Sequence, residues 1–218
     1  MCATGSHAIR IGLVVSASIL SGTAGCSSNP PGKSAQGCDD CARARLENKW
    51  CDACKIGYVA GVPIKSRLLF ECLDAHGHTL VLETFTCPTC KEAILQDGFC
   101  ERCRIGFLDK QAYFSRLTYE LAHGTPQEVE KIACPACRRN AKRYGWCEKC
   151  NAGMVGNVLL GNLANYEPAT RGFELMLTAN SAADRCEMCA LAIVTDTRCF
   201  VCKINYKEGK PLAATSQP

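Results

Sequence analysis

Sixteen of the 19 cysteines stand in Cys-x-x-Cys pairs, and the pairs group two by two across the same nine-residue gap. The groups are Cys38, Cys41, Cys51 and Cys54; Cys87, Cys90, Cys100 and Cys103; Cys134, Cys137, Cys147 and Cys150; and Cys186, Cys189, Cys199 and Cys202. Two residues between cysteines let both sulfurs converge on one ion from a tight turn, and a second pair completes a tetrahedron. Four thiolates suit a soft or borderline ion, so four Zn²⁺ sites are expected, with iron and copper as alternatives. First cysteines recur at intervals of 49, 47 and 52 residues, which marks one repeated unit.

The residues around the sulfurs suggest how each unit positions them. Three places past each fourth cysteine stand Gly57, Gly106, Gly153 and Asn205, types that tolerate a left-handed backbone, so a turn is expected there. Before the third cysteines lie Asn48-Lys49, Asp97-Gly98, Tyr144-Gly145 and Asp196-Thr197, of which at least the first two read as hairpin turns. The expected unit is knuckle, short hairpin, knuckle. Trp50, Phe99 and Trp146, just ahead of the third cysteine, are expected to shield the sulfurs.

Cys87-Pro-Thr-Cys90 followed by Gly98-Phe99-Cys100-Glu-Arg-Cys103 resembles the short ribbons of the double-zinc-ribbon type. The likeness covers 17 residues in each of four places. It departs from the ribbon pattern where glycine usually follows the second and fourth cysteines: here stand Ala42, Lys91, Arg138 and Ala190, and Lys55, Arg104, Asn151 and Lys203. The resemblance implies a structural metal and an interaction surface, and it implies no reaction.

Between the groups, Ile56 to Val59 and Ile105 to Leu108 read as strands. Pro63 is expected to open a helix with Ile64, Leu68, Leu69, Cys72 and Leu73 on one face; Phe114, Leu117 and Leu121 recur at helical spacing. Both helices are expected to end in His-Gly, at His76-Gly77 and His123-Gly124. A longer third linker holds Val158-Leu159-Leu160 and then Phe173 to Thr178. The expected fold is thus a small metal-stabilised α+β chain of four zinc-ribbon or knuckle modules joined by short strand-helix linkers, with stacking favoured over beads on a string. The boundaries are 38–86, 87–133 and 134–185 for three ribbons each with a helix, and 186–218 for a truncated fourth ribbon and tail.

The N-terminus bears on location. Arg10 precedes an apolar run from Ile11 to Leu20, and Ser21-Gly22-Thr23-Ala24-Gly25 leads into Cys26, the layout of a cleaved export signal. Cys26 after Thr-Ala-Gly resembles a bacterial lipobox, so residues 1–25 are expected as signal peptide, Cys26 as the acylated residue carrying palmitate-type chains, and 26–37 as a flexible tether. That places the chain in the bacterial cell envelope, held to a membrane by lipid and facing the periplasm or cell surface. An ordinary secretion signal and an uncleaved tail are the alternatives.

An exported cysteine-rich chain can also be a disulfide framework. The repeated four-sulfur spacing favours metal, with a disulfide-stabilised secreted repeat as the alternative and thiol exchange third. Charge follows the metal. The formal +4 falls to +3 without Arg10, and each Zn²⁺ with four thiolates adds −2, so four sites bring the mature chain to about −5. An acidic protein argues against nucleic acid as partner; Lys55, Arg102, Arg104, Arg138, Arg139, Lys149 and Lys203 then read as local compensation of the sites.

Other chemistry is sparse. His76, His78 and His123 offer imidazoles, for which helix-end capping is the favoured reading over a second metal site, and Cys72 reads as a small apolar residue. No Ser-His-Asp order, phosphate loop, haem-attachment motif or framed carboxylate pair is present in the sequence. The expected function is non-enzymatic: a lipid-anchored zinc protein with an unidentified protein partner. Envelope metal buffering or sequestration is the alternative.

Overall fold

Each cysteine group is built on a helix that fills the nine-residue gap. The structure, a computed structural model, describes residues 37–141 and 143–212; the signal, lipidation and tether readings at residues 1–36 lie outside the described residues. The four gap helices are α1 (Asp39–Glu47), α3 (Pro88–Leu95), α5 (Pro135–Ala141) and α7 (Glu187–Thr195). Their starts follow from composition: acidic residues in the first turns of α1 and α7, and proline opening α3 and α5, where no N–H is missed. Their ends are left-handed residues, Asn48, Asp97, Tyr144 and Asp196, with φ of 52°, 48°, 51° and 53°. The next residue's N–H then closes back on the helix, from Lys49, Gly98, Gly145 and Thr197 to the carbonyls of Ala44, Ala93, Asn140 and Ala192. These are Schellman-type helix ends. The expected hairpin turns are therefore helix caps, a motif that uses the same Asn, Asp and Gly residues.

After the cap in the first three modules the chain runs through a strand carrying the third cysteine, a tight turn carrying the fourth, and a second strand; in the fourth module the single bridge between Arg198 and Asn205 stands in their place. In the first module these are β1 (Trp50–Cys51) and β2 (Ile56–Val59), continued by β3 (Val62–Ile64) and α2 (Arg67–Leu73). In the second they are β5 (Phe99–Cys100), β6 (Ile105–Leu108), β7 (Gln111–Tyr113) and α4 (Arg116–Ala122), and in the third β9 (Trp146–Cys147), β10 (Ala152–Val155), β11 (Val158–Leu160) and α6 (Leu163–Ala183). The fourth ends in β12 (Tyr206–Lys207) and β13 (Lys210–Pro211). The strands expected at Ile56 to Val59 and Ile105 to Leu108 form with those bounds. The helix expected from Pro63 starts later. Pro63 belongs to β3, and Ser66 caps α2 by accepting from the Leu69 N–H at 3.1 Å. Leu69 and Leu73 are buried while Leu68 and Cys72 face solvent. His76 lies beyond that helix, whose cap is Asp74, whereas His123 does cap α4.

The linkers lend strands forward. β4 (His78–Thr79) pairs antiparallel with β7, and β8 (Thr125–Pro126) with β11, so the second and third sheets run β4-β7-β6-β5 and β8-β11-β10-β9. A single buried core then unites helices from every module. It contains Leu69 and Leu73 of α2, Leu117 and Leu121 of α4, Ala169, Phe173, Met176, Ala179 and Ala182 of α6, and Ala190, Ala192 and Ile193 of α7. On α6 the spacing of three and four between these residues makes one apolar stripe, and at 21 residues the helix is about 31 Å long. It packs on α2, α4 and α7. Gly172 lets α4 come close, since a Cβ there would lie 3.0 Å from the Leu117 Cβ. The first and third modules touch directly: the Asn157 N–H donates to the Ala60 carbonyl at 2.9 Å and its side chain to the Arg45 carbonyl at 3.2 Å. Gly156 is required at this contact, because it has φ +59° and a Cβ would meet the Ala60 oxygen at 2.1 Å.

Candidate metal centres

In each module the first cysteine sits just before a helix, the second in its first turn and the fourth in a tight turn; the third is on a strand in the first three modules and follows the isolated bridge residue Arg198 in the fourth. Cys38, Cys87 and Cys186 are the N-caps of α1, α3 and α7, and Cys134 immediately precedes α5. The first pair is thus presented by a helix N-terminus, where the backbone N–H groups and the dipole favour a thiolate. The second pair lies on a knuckle between two strands. In every group the second and third cysteines are buried. The fourth is exposed in the later three groups and half-buried in the first.

The sequence grouping holds: within each set of four, all sulfurs lie within 4.8 Å of one another. Cys38 and Cys51 are 3.9 Å apart, as are Cys186 and Cys199. Tetrahedral metal–sulfur bonds of about 2.3 Å set sulfurs roughly 3.8 Å apart, whereas a disulfide needs about 2.05 Å. Each of the four groups could hold a metal ion.

Electrostatics within a group separates one sulfur from the rest. The Cys90 N–H, followed by other donors, brings the Cys87 thiol down to about 6, and the Cys137 N–H does the same for Cys134, to about 6. Cys38 is lowered chiefly by the Cys41 N–H. Burial raises Cys90 and Cys137, with neighbouring sulfurs adding to it. Cys54 is pushed up to about 12 by Cys41 and the other sulfurs, and Cys202 to about 12 by Cys189 and Cys186. In the fourth group burial works against Cys199, yet the Cys202 N–H, 3.3 Å from its sulfur, helps bring it to about 7. In each group one thiol is lowered while a neighbouring sulfur, Cys54, Cys90, Cys137 or Cys202, is raised in part by the sulfurs beside it. A divalent cation removes that conflict by compensating all four charges at once.

The turn chemistry differs from the sequence expectation in an informative way. Gly57, Gly106 and Gly153 are not left-handed; they lie on β2, β6 and β10, opposite Trp50, Phe99 and Trp146. A Cβ on them would stand 2.3 Å from Phe70, 2.2 Å from Tyr119 and 2.4 Å from Tyr166. Those aromatics come from the following helices and stack on the strand aromatics, with ring centroids 5.4, 5.4 and 5.1 Å apart. The glycines make room for the helix, and Trp50, Phe99 and Trp146 pair with it. The left-handed residues of the knuckles are instead Lys55, Arg104, Asn151 and Lys203, with φ of 56°, 57°, 48° and 61°, at the places where ribbons carry glycine. Ala42, Lys91, Arg138 and Ala190 lie in helices, which explains why no glycine is needed there.

Several residues support the sites in ways the sequence did not indicate. Asn48, Asp97 and Asp196 use their side chains to accept from the N–H groups of Ala60, Asp109 and Glu208, each twelve residues on, tying the helix cap to the strand turn. The Tyr119 and Tyr166 hydroxyls donate to the carbonyls of the cap residues Asp97 and Tyr144 at 2.8 and 2.6 Å. Four places past each fourth cysteine stand Tyr58, Phe107, Met154 and Tyr206, of which the first three are fully buried. Cys189 and then burial push the Tyr206 phenol up to about 12. Of the expected compensating cations, Lys55 pairs with Asp52 at 3.6 Å, and Arg138 donates to the Ile132 carbonyl at 2.8 and 3.1 Å.

The histidines divide. His123 packs edge-on against Tyr119, whereas His76 and His78 gather with Asp74. Among the described residues no helix is long and apolar enough to cross a membrane. Compared with protein-family models, curated proteins and solved structures, the chain finds no match.

Proposed function

We propose that this chain is a non-enzymatic zinc protein of the bacterial envelope, anchored by lipid at Cys26, in which four closed Cys₄ sites hold up a surface that binds a protein partner. The observation that carries the metal role is where the sulfurs lie. Cys41 and Cys51, Cys90 and Cys100, and Cys137 and Cys147 make up much of the small buried clusters of the first three modules, beside Ala44 and Tyr58, Ala93 and Phe107, and Ala141 and Met154. Cores so small do not fold on apolar burial alone, so ions bound there act as folding elements. Zinc is the choice because four thiolates in tetrahedral array with no open position match its structural sites. Resemblance to zinc ribbons and the layout of residues 10–26 support the partner-binding and anchoring parts of the reading.

Exposure of Cys103, Cys150 and Cys202 favours a second reading, metal buffering, because an exposed sulfur gives a competing ligand a point of attack. Stopped-flow transfer of zinc to a chromophoric chelator, with circular dichroism followed in parallel, separates the two. A scaffold loses zinc slowly and unfolds as it does so. Release within seconds with the fold intact would establish buffering instead, and purification from the envelope with disulfides and no metal would overturn both.

A further inference from the structure

Asp74, His76 and His78 form a cluster of metal-ligating side chains apart from the four cysteine groups. Asp74 is the left-handed cap of α2, with φ 45°, and its carboxylate meets both His76 and His78. His78 lies on β4 and is held by pairing with Ala112 of β7 and by the edge of the Phe114 ring, 5.0 Å away. Asp74 is thus positioned by the first module and His78 by the sheet of the second, with His76 on the loop between them.

The two carboxylate–imidazole spacings are close to those of a coordination sphere. His78 Nε2 is 2.9 Å from each Asp74 oxygen, and His76 Nδ1 is 3.4 Å from Oδ1. Nitrogen and oxygen ligands at about 2.1 Å from an ion stand roughly 3.0 to 3.4 Å apart for right-angle to tetrahedral geometry. All three ligand atoms lie within 4.8 Å of one another, and the Asp74, His76 and His78 side chains are 22%, 66% and 40% exposed. One carboxylate and two neutral imidazoles are borderline ligands that suit a first-row divalent cation, and three protein ligands leave positions for water or an exogenous group.

We propose that Asp74, His76 and His78 form a fifth metal site, open and exchangeable, that binds a divalent first-row cation at the junction of the first and second modules. Unlike the cysteine groups it holds no sulfur and contributes nothing to a buried core. Loss of its metal leaves the fold in place.

The test is equilibrium dialysis of the full chain against Zn²⁺, with metal counted by mass spectrometry. The wild type is expected to bind one equivalent more than His76→Ala and Asp74→Asn, each of which keeps its circular dichroism; asparagine tolerates the left-handed cap. Addition of Co²⁺ to the zinc-loaded wild type is expected to give a visible spectrum without thiolate charge transfer, absent from both variants. Equal stoichiometry in wild type and both variants would overturn the site and leave an imidazole–carboxylate hydrogen-bond cluster only. Failure of the cysteine groups to take metal would be seen separately, as missing thiolate–cobalt charge transfer in protein loaded with Co²⁺ alone.

Discussion

Arg104 and Gly106 stand two residues apart and place opposite demands on their side chains. Arg104 adopts φ 57° in the second knuckle, a conformation that costs an L-residue about 1 kcal/mol, partly offset because glycine loses more entropy on folding. Arg104→Gly is expected to leave stability unchanged or raise it by up to about 0.5 kcal/mol. Gly106→Ala should cost about 1–3 kcal/mol, because its Cβ collides with Tyr119 against a sheet already filled by Phe99. Chemical denaturation of the zinc-loaded variants measures both, and a neutral Gly106→Ala would refute the close approach. The tyrosine itself makes a second contribution. Tyr119→Phe removes the bond to the Asp97 carbonyl and is expected to cost about 1 kcal/mol in the same assay. The first module carries Phe70 at this place, so the ring is the common requirement and the hydroxyl an addition.

The gap helices were the elements least legible in the sequence, and the reason is physical. Each has seven to nine residues, and in α1, α3 and α5 the buried face consists of a cysteine and an alanine, such as Cys41 with Ala44 or Cys90 with Ala93. So short a stripe of small residues carries no helical periodicity, and the Asn48, Asp97 and Gly98 that end the helices carry the chemistry of hairpin turns as well. The strands at Ile56–Val59 and Ile105–Leu108 and the grouping of the sulfurs were legible, since both rest on local pattern and spacing. The glycines misled because close approach and left-handed backbone leave the same residue in the sequence. A longer element, α6, was legible only in its middle, at Phe173 to Thr178. Its stripe of Ala169, Phe173, Met176, Ala179 and Ala182 marks a core helix, yet which helices it meets depends on Gly172. Gly172→Val is expected to force α4 and α6 apart and cost about 2 kcal/mol, a typical penalty for overpacking. Amide exchange would show faster opening of α4, and unchanged protection there would contradict the packing.

At the scale of the molecule, the four sites are unequal in what rests on them. Cys41 and Cys51, Cys90 and Cys100, and Cys137 and Cys147 belong to small clusters confined to their own modules. Cys189 and Cys199 belong to the core that also holds Phe173 and Met176 of α6, Leu117 of α4 and Leu69 of α2. Helix α7 joins the fourth site to that core directly, through Ala190, Ala192 and Ile193. Loss of an ion bound at the fourth site would therefore remove the support of α7 and expose one flank of α6, whereas loss of one at the first would loosen α1 and its hairpin. Hydrogen exchange on the zinc-loaded chain is expected to separate Cys199→Ser from Cys41→Ser. The first should speed exchange across α2, α4, α6 and α7, and the second should confine faster exchange to α1, β1 and β2. Each variant loses one metal equivalent by mass, so the contrast in exchange reports position in the core and not the number of ions. Identical, module-confined patterns would mean that the shared core stands without the fourth site, and that metal in this protein folds modules one at a time.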